Sequence, residues 1–120
     1  MAEAQLKQPP NPEKRAEVKV TDEAIIKMMT DRTYKVKTSE PLEPHTAKWT
    51  TAGEALGAFK EKRADLIKYA KTTTQDARNH IVQMPFGYVD TYQLMLVIAA
   101  HTLRHTQQIQ EVKADPNFPE

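Results

Sequence analysis

The 120-residue sequence predicts an all-α fold. Three observations predict it. Two capping pairs, Thr51 with Glu54 and Asp90 with Gln93, each stand at the head of a long segment with helical apolar spacing. A shorter cap and apolar stripe follow Thr21. No segment gives a clear strand pattern.

Residues 1–19 are polar and carry Pro9, Pro10 and Pro12. Proline removes backbone donors and restricts its neighbours, so this stretch reads as an extended, Pro-rich arm. A short helix near 22–31 follows. Thr21 caps it, Asp22 and Glu23 suit the positive end of the helix dipole, and Val20 can staple onto Ile25. Ile25, Met28 and Met29 give it one apolar stripe. Residues 33–49, with Pro41 and Pro44, form a connecting segment that ends in Trp49, a packing anchor.

A long helix near 51–71 places Leu56, Phe59, Leu66, Ile67 and Ala70 at intervals of three and four. Lys60, Glu61, Lys62, Asp65 and Lys68 form its solvated face. Arg63 is the exception, in register with the apolar residues. Turns are expected at Thr72-Thr73-Thr74 and Met84-Pro85-Phe86-Gly87, with a short helical piece around 76–82. A second long helix near 91–113 runs unbroken until Pro116, antiparallel to the first.

Composition narrows the function classes. The chain carries 17 basic against 16 acidic residues, with no basic stripe, so a nucleic-acid partner loses its electrostatic footprint. It has no cysteine, which removes disulfide scaffolds, thiolate metal sites and cysteine nucleophiles. No apolar run approaches the ~20 residues of a membrane span, and no apolar signal core opens the chain. A soluble, cytoplasmic protein without a membrane partner is expected.

The last helix carries the chemistry. On a wheel of about 100° per residue, Ile98, His101, His105, Ile109 and Val112 fall within about 60° of Leu94. The two histidines are expected to point inward with that stripe. Spaced i and i+4, they can reach one divalent ion. Gln108, at the edge of the same face, is positioned to support a ligand. A catalytic zinc site has three protein ligands and an open position, so two imidazoles are incomplete. The opposite side carries Tyr92, Leu96, Ala99 and Leu103. With both sides apolar, the helix requires more cover than this chain supplies, and a homodimer is the expected closure, with Leu96 on its interface.

The stretch Met84-Pro85-Phe86-Gly87, Asp90-Thr91-Tyr92-Gln93 and the closing His101-Thr102-Leu103-Arg104-His105-Thr106-Gln107-Gln108-Ile109 resembles the DinB-like (YfiT-like) superfamily of metal-dependent proteins. The likeness extends back over Trp49, Glu54-Ala55-Leu56, Phe59 and Arg63 to Asp31-Arg32, so residues 20–118 read as a DinB-like helical domain. The resemblance implies a four-helix bundle and a divalent ion (zinc, nickel or iron) held by three histidines, of which His101 and His105 match two. The third comes from an early helix in that family, and no residue of this chain takes its place. His45 lies in a linker, and His80 precedes the turn into the last helix. The chain thus resembles the C-terminal two-thirds of such a protein, a partial bundle with the first two helices missing, its four helices completed by dimerisation.

The resemblance further implies a metal-dependent transferase or hydrolase acting on a small-molecule or thiol substrate. There Arg63 would orient an anionic substrate or a group behind the ligands. The alternative is a non-catalytic helical module for self-association that has lost a complete metal site.

Overall fold

The computed structural model describes residues 2–35, 37–38, 40, 43 and 48–119. The chain forms two compact units, Met1–Tyr34 with Gln75–Glu120 and Lys35–Thr74. In the first unit, α1 (Ala2–Leu6), α2 (Asp22–Thr30), the strands β1 (Ile81–Met84) and β2 (Gly87–Asp90), and α4 (Thr91–Lys113) follow in order. The second holds α3 (Ala52–Thr72). Among the described residues no helix is long and apolar enough to cross a membrane.

The caps act as their residue types dictate. Thr21 Oγ1 accepts from Ala24 N at 3.1 Å and opens α2. At the head of α3, Thr51 Oγ1 accepts from Glu54 N at 3.1 Å, and Glu54 Oε2 accepts from Thr51 N at 3.2 Å. At the head of α4, Asp90 Oδ1 accepts from Gln93 N at 2.7 Å, and Gln93 Oε1 accepts from Asp90 N at 3.2 Å. Both expected capping boxes are therefore present.

The all-α expectation needs correction. The fold is mostly helical, but β1 and β2 pair as an antiparallel hairpin, with Val82 opposite Val89 and Met84 opposite Gly87. The expected turn does fall at Pro85-Phe86. Proline presets φ at the first turn position, and Gly87 takes φ +125°, a backbone region that disfavours L side chains. Each strand is only four residues long, too short for alternation to register in the sequence. The helical piece expected around 76–82 is a 3-10 turn at Ala77–Asn79, after which the chain enters β1.

The segment read as an extended arm also carries structure: α1, then a 3-10 helix over Pro12–Glu17. Ala2 and Leu6 are buried, and α1 packs on α4. Asn11 continues the sheet edge in place of a third strand. Its Nδ2 donates to Ile81 O at 3.0 Å and its Oδ1 accepts from Ile81 N at 2.7 Å.

The core gathers Ile25, Val89 and Val97, with Val20, Met29, Val82, Met84, Phe86 and Leu96 against it. Leu96, expected on an outward interface, instead packs on its own core. Tyr92, from the same expected stripe, lies under the Arg78 guanidinium at 3.9 Å. The face of α4 turned to α2 carries Gln93, Val97, Ala100 and Arg104, all within an arc of about 60°.

Two polar residues belong to that face because each satisfies backbone or charge on α2. Gln93 Nε2 donates to Val20 O at 2.8 Å and to Asp22 Oδ1 at 3.1 Å. Arg104 Nη1 donates to Asp31 O at 2.6 Å and Met29 O at 3.3 Å, and its Nη2 to Tyr34 O. Orphan carbonyls at the end of α2 thereby acquire donors.

In the second unit, α3 spans almost the predicted range. Trp49, read as a packing anchor, is 49% exposed.

Candidate metal centre

His101 and His105 stand one turn apart on α4, and their rings meet. The centroids are 4.5 Å apart and the planes differ by 31°. The two Nε2 atoms approach to 2.8 Å. On the far side of the His105 ring, Nδ1 lies 2.9 Å from Gln108 Oε1. A carbonyl oxygen only accepts, so Nδ1 carries the proton, and neutral His105 presents a lone pair at Nε2. His101 Nε2–H then donates to that lone pair. Ligation by both Nε2 atoms requires the His101 proton on Nδ1 instead, a single tautomer change.

The fit to a divalent ion follows from these distances. Two nitrogens bound to one tetrahedral ion at about 2.0–2.1 Å stand about 3.3 Å apart. The observed 2.8 Å falls about half an ångström short of that, within reach of small side-chain rotations. The imidazole pair therefore suits one ion. Among the described residues no group of three or more His, Cys, Asp and Glu is placed to hold a metal. The fit is that of two donors.

The pair is exposed rather than interior, contrary to the sequence expectation. The reason is the placement of the packed arc. Gln93 and Arg104 draw it to the side where α2 offers carbonyls and a carboxylate, and His101 lies about 40° beyond the edge of that arc. Partial burial lowers the His101 pKa below the ordinary imidazole value, and the nearby charges of His105 and Arg104 lower it further. All three effects favour the neutral, ligating form.

Of the residues singled out in the sequence, the structure brings His101, His105 and Gln108 together. Arg63 belongs to the other unit, where its guanidinium lies 5.3 Å from the Phe59 ring centroid. His80 is a buried structural residue, with Nδ1 2.7 Å from Asp76 O and Nε2 3.1 Å from Gln8 O. His45 lies outside the described residues. Arg104 was legible only as a letter between the two histidines. Its signal is a second polar residue three helical turns from Gln93 on one face.

A family model described as the DinB superfamily matches residues 1–109. The chain belongs to the DinB superfamily. The match takes in the first 19 residues, and with them α1 and the Asn11 contact to β1. Membership fits a mostly helical, metal-associated protein, and the histidine pair of this DinB chain lies inside the matched range. No curated protein and no solved structure matches the chain.

Proposed function

We propose that this chain is a cytoplasmic divalent-metal protein of the DinB type, ligating through His101 Nε2 and His105 Nε2, and that it serves a metal-dependent transfer or hydrolysis with a small-molecule or thiol substrate. The observation that carries this reading is the 2.8 Å approach of the two Nε2 atoms, with Gln108 holding the His105 proton on the opposite nitrogen. Zinc, nickel and iron all accept imidazole. A divalent ion held there would supply Lewis acidity toward a water or a thiol.

The chain's own residues do the rest. Gln108 fixes the tautomer and ring orientation of His105. Arg104, tied to three carbonyls of the α2 end and its following loop, anchors the turn of α4 that carries both rings, and its charge adds to the burial that lowers the His101 pKa.

A second reading rests on a different observation. Leu103, Ile109 and Val112 are 49%, 58% and 54% exposed on the helix that bears the histidines. Such residues suit a non-catalytic module that self-associates as a homodimer, with weak or absent metal binding.

Metal analysis of the purified protein, read with native mass, separates the two. The first reading expects a stoichiometric ion that disappears in His101→Ala/His105→Ala. Dimers without metal support the second. Full metal occupancy in the double variant would sink the placement of the site.

A further inference from the structure

Beyond His105 the surface of α4 opens into a depression of about 440 Å³, lined by His105, Gln108, Ile109, Val112, Lys113 and Phe118. Its volume is in the range of small-molecule sites. The helix ends at Lys113, and a turn in which Phe118 N donates to Asp115 O at 2.9 Å brings the Phe118 ring to the groove. The middle of the groove is therefore apolar and its two ends are polar.

At one end stand His105 and Gln108. Gln108 Oε1 is engaged by His105, which leaves the amide NH2 as a donor. At the other end is the Lys113 ammonium, for which the described residues supply no carboxylate. Lys113 stands eight residues beyond His105, a rise of about 12 Å along the helix.

We infer that this groove binds a small amphipathic carboxylate. Its acid group pairs with Lys113 Nζ, its alkyl body covers Ile109, Val112 and Phe118, and its far end lies against His105. The charge pattern decides between occupants. A purely apolar ligand leaves Lys113 unused, and a cationic one meets it head-on. An extended chain of roughly eight carbons spans most of the His105-to-Lys113 rise, and the flexible lysine stem covers the remainder. The inference names the substrate class for the proposed metal pair. Binding itself requires only the groove, so it is tested without metal.

The experiment is a titration of the metal-free protein with octanoate, followed through the methyl resonances of Ile109 and Val112. Saturable shifts at these two residues are expected, with octylammonium producing none. Lys113→Gln should weaken octanoate about tenfold, the effect of losing one charge-assisted hydrogen bond. The same variant should bind 1-octanol as before, and Lys113→Arg should retain octanoate binding.

Three outcomes overturn the inference: equal binding of octanoate and octylammonium, no effect of Lys113→Gln, or shifts that follow protein concentration without ligand. The last would assign the groove to a second copy of the chain. Octanoate binding by a protein that takes up no metal would leave the groove standing and remove the metal reading alone.

Discussion

Arg104 Nη1 donates to the Asp31 carbonyl at 2.6 Å, so a residue between the two histidines of α4 closes the end of α2. The same guanidinium reaches the Met29 and Tyr34 carbonyls. Arg104→Met keeps much of the side-chain volume and removes every donor. Hydrogen bonds from charged groups contribute about 1.5–3 kcal/mol each and are not additive, so a total loss of about 2–3 kcal/mol is expected. Urea unfolding measures it. Arg104→Lys should recover only part, because an ammonium cannot reproduce the planar fork. A loss below ~0.5 kcal/mol for the methionine variant would mean that water replaces these contacts at no cost.

Acid should loosen the junction of α2, the 77–79 turn and α4. Asp22 binds Arg78 through both oxygens, at 2.7 Å and 3.0 Å, and accepts from Gln93 at 3.1 Å. The Arg78 hydrogen bond is the main cause that lowers its pKa; burial opposes it, and the Gln93 hydrogen bond adds to the lowering. The folded state then binds this proton less readily than the unfolded chain. The stabilisation is complete above the ordinary aspartate value of 3.8 and is lost as pH falls through the lower folded value. Stability measured from pH 6 downward should drop below about pH 4. Asp22→Asn should be less stable at pH 6 and show a flatter acid limb. An unchanged acid limb in that variant would assign the loss to other carboxylates.

Ile25 is fully buried where α2 meets Val89 and Val97. Its replacement by alanine removes three carbon atoms from a contact that joins helix, hairpin and α4. A cost of about 2–5 kcal/mol is expected for a truncation of this kind. Ile26, one residue on and 43% exposed, is the control, and Ile26→Ala should cost far less. Similar losses at both positions would show that α2 does not pack by the face described.

How far the sequence reached depends on the kind of signal. Caps are local chemistry, and Thr21, Thr51 with Glu54, and Asp90 with Gln93 are visible as residue types at fixed spacing. They placed all three longer helices within a residue or two of their observed ends. The hairpin is not legible because its strands carry four residues each, too few for alternation to register, and strand character depends on the neighbours a strand packs against. The direction of the histidines was misread for a related reason. Hydropathy counted Leu94, Ile98, Ile109 and Val112 as one inward stripe. Of these the fold fully buries Leu94, leaves Ile109 and Val112 exposed, and turns Gln93 and Arg104 to polar partners at the two ends of α2, 71 and 73 positions away in the chain. The HxxxH spacing was legible, since i and i+4 place two rings side by side whichever way the helix faces.

Gln108 provides the sharpest check on the histidine pair. Its Oε1 lies 2.9 Å from His105 Nδ1, on the side of the ring opposite the 2.8 Å contact with His101. An acceptor there holds the proton on Nδ1, leaves Nε2 with its lone pair and limits rotation of the ring. Without it, neutral His105 is free to carry its proton on Nε2 and to turn away. Removal of such an outer partner typically weakens metal binding by about 10–100-fold. Gln108→Leu keeps a side chain of similar bulk and removes the acceptor, so its zinc affinity should fall by that factor while its circular dichroism stays unchanged. Gln108→Glu restores an acceptor and should recover the affinity in full. His105→Ala should abolish most of the binding, because it removes a ligand rather than the support of one. Competitive titration against a chromogenic chelator at pH 7.5 resolves the three variants. Equal affinities for the wild-type and leucine proteins would show that the pair does not depend on the Gln108 contact. Equal affinities for the wild-type and His105→Ala proteins would move the metal off this helix altogether.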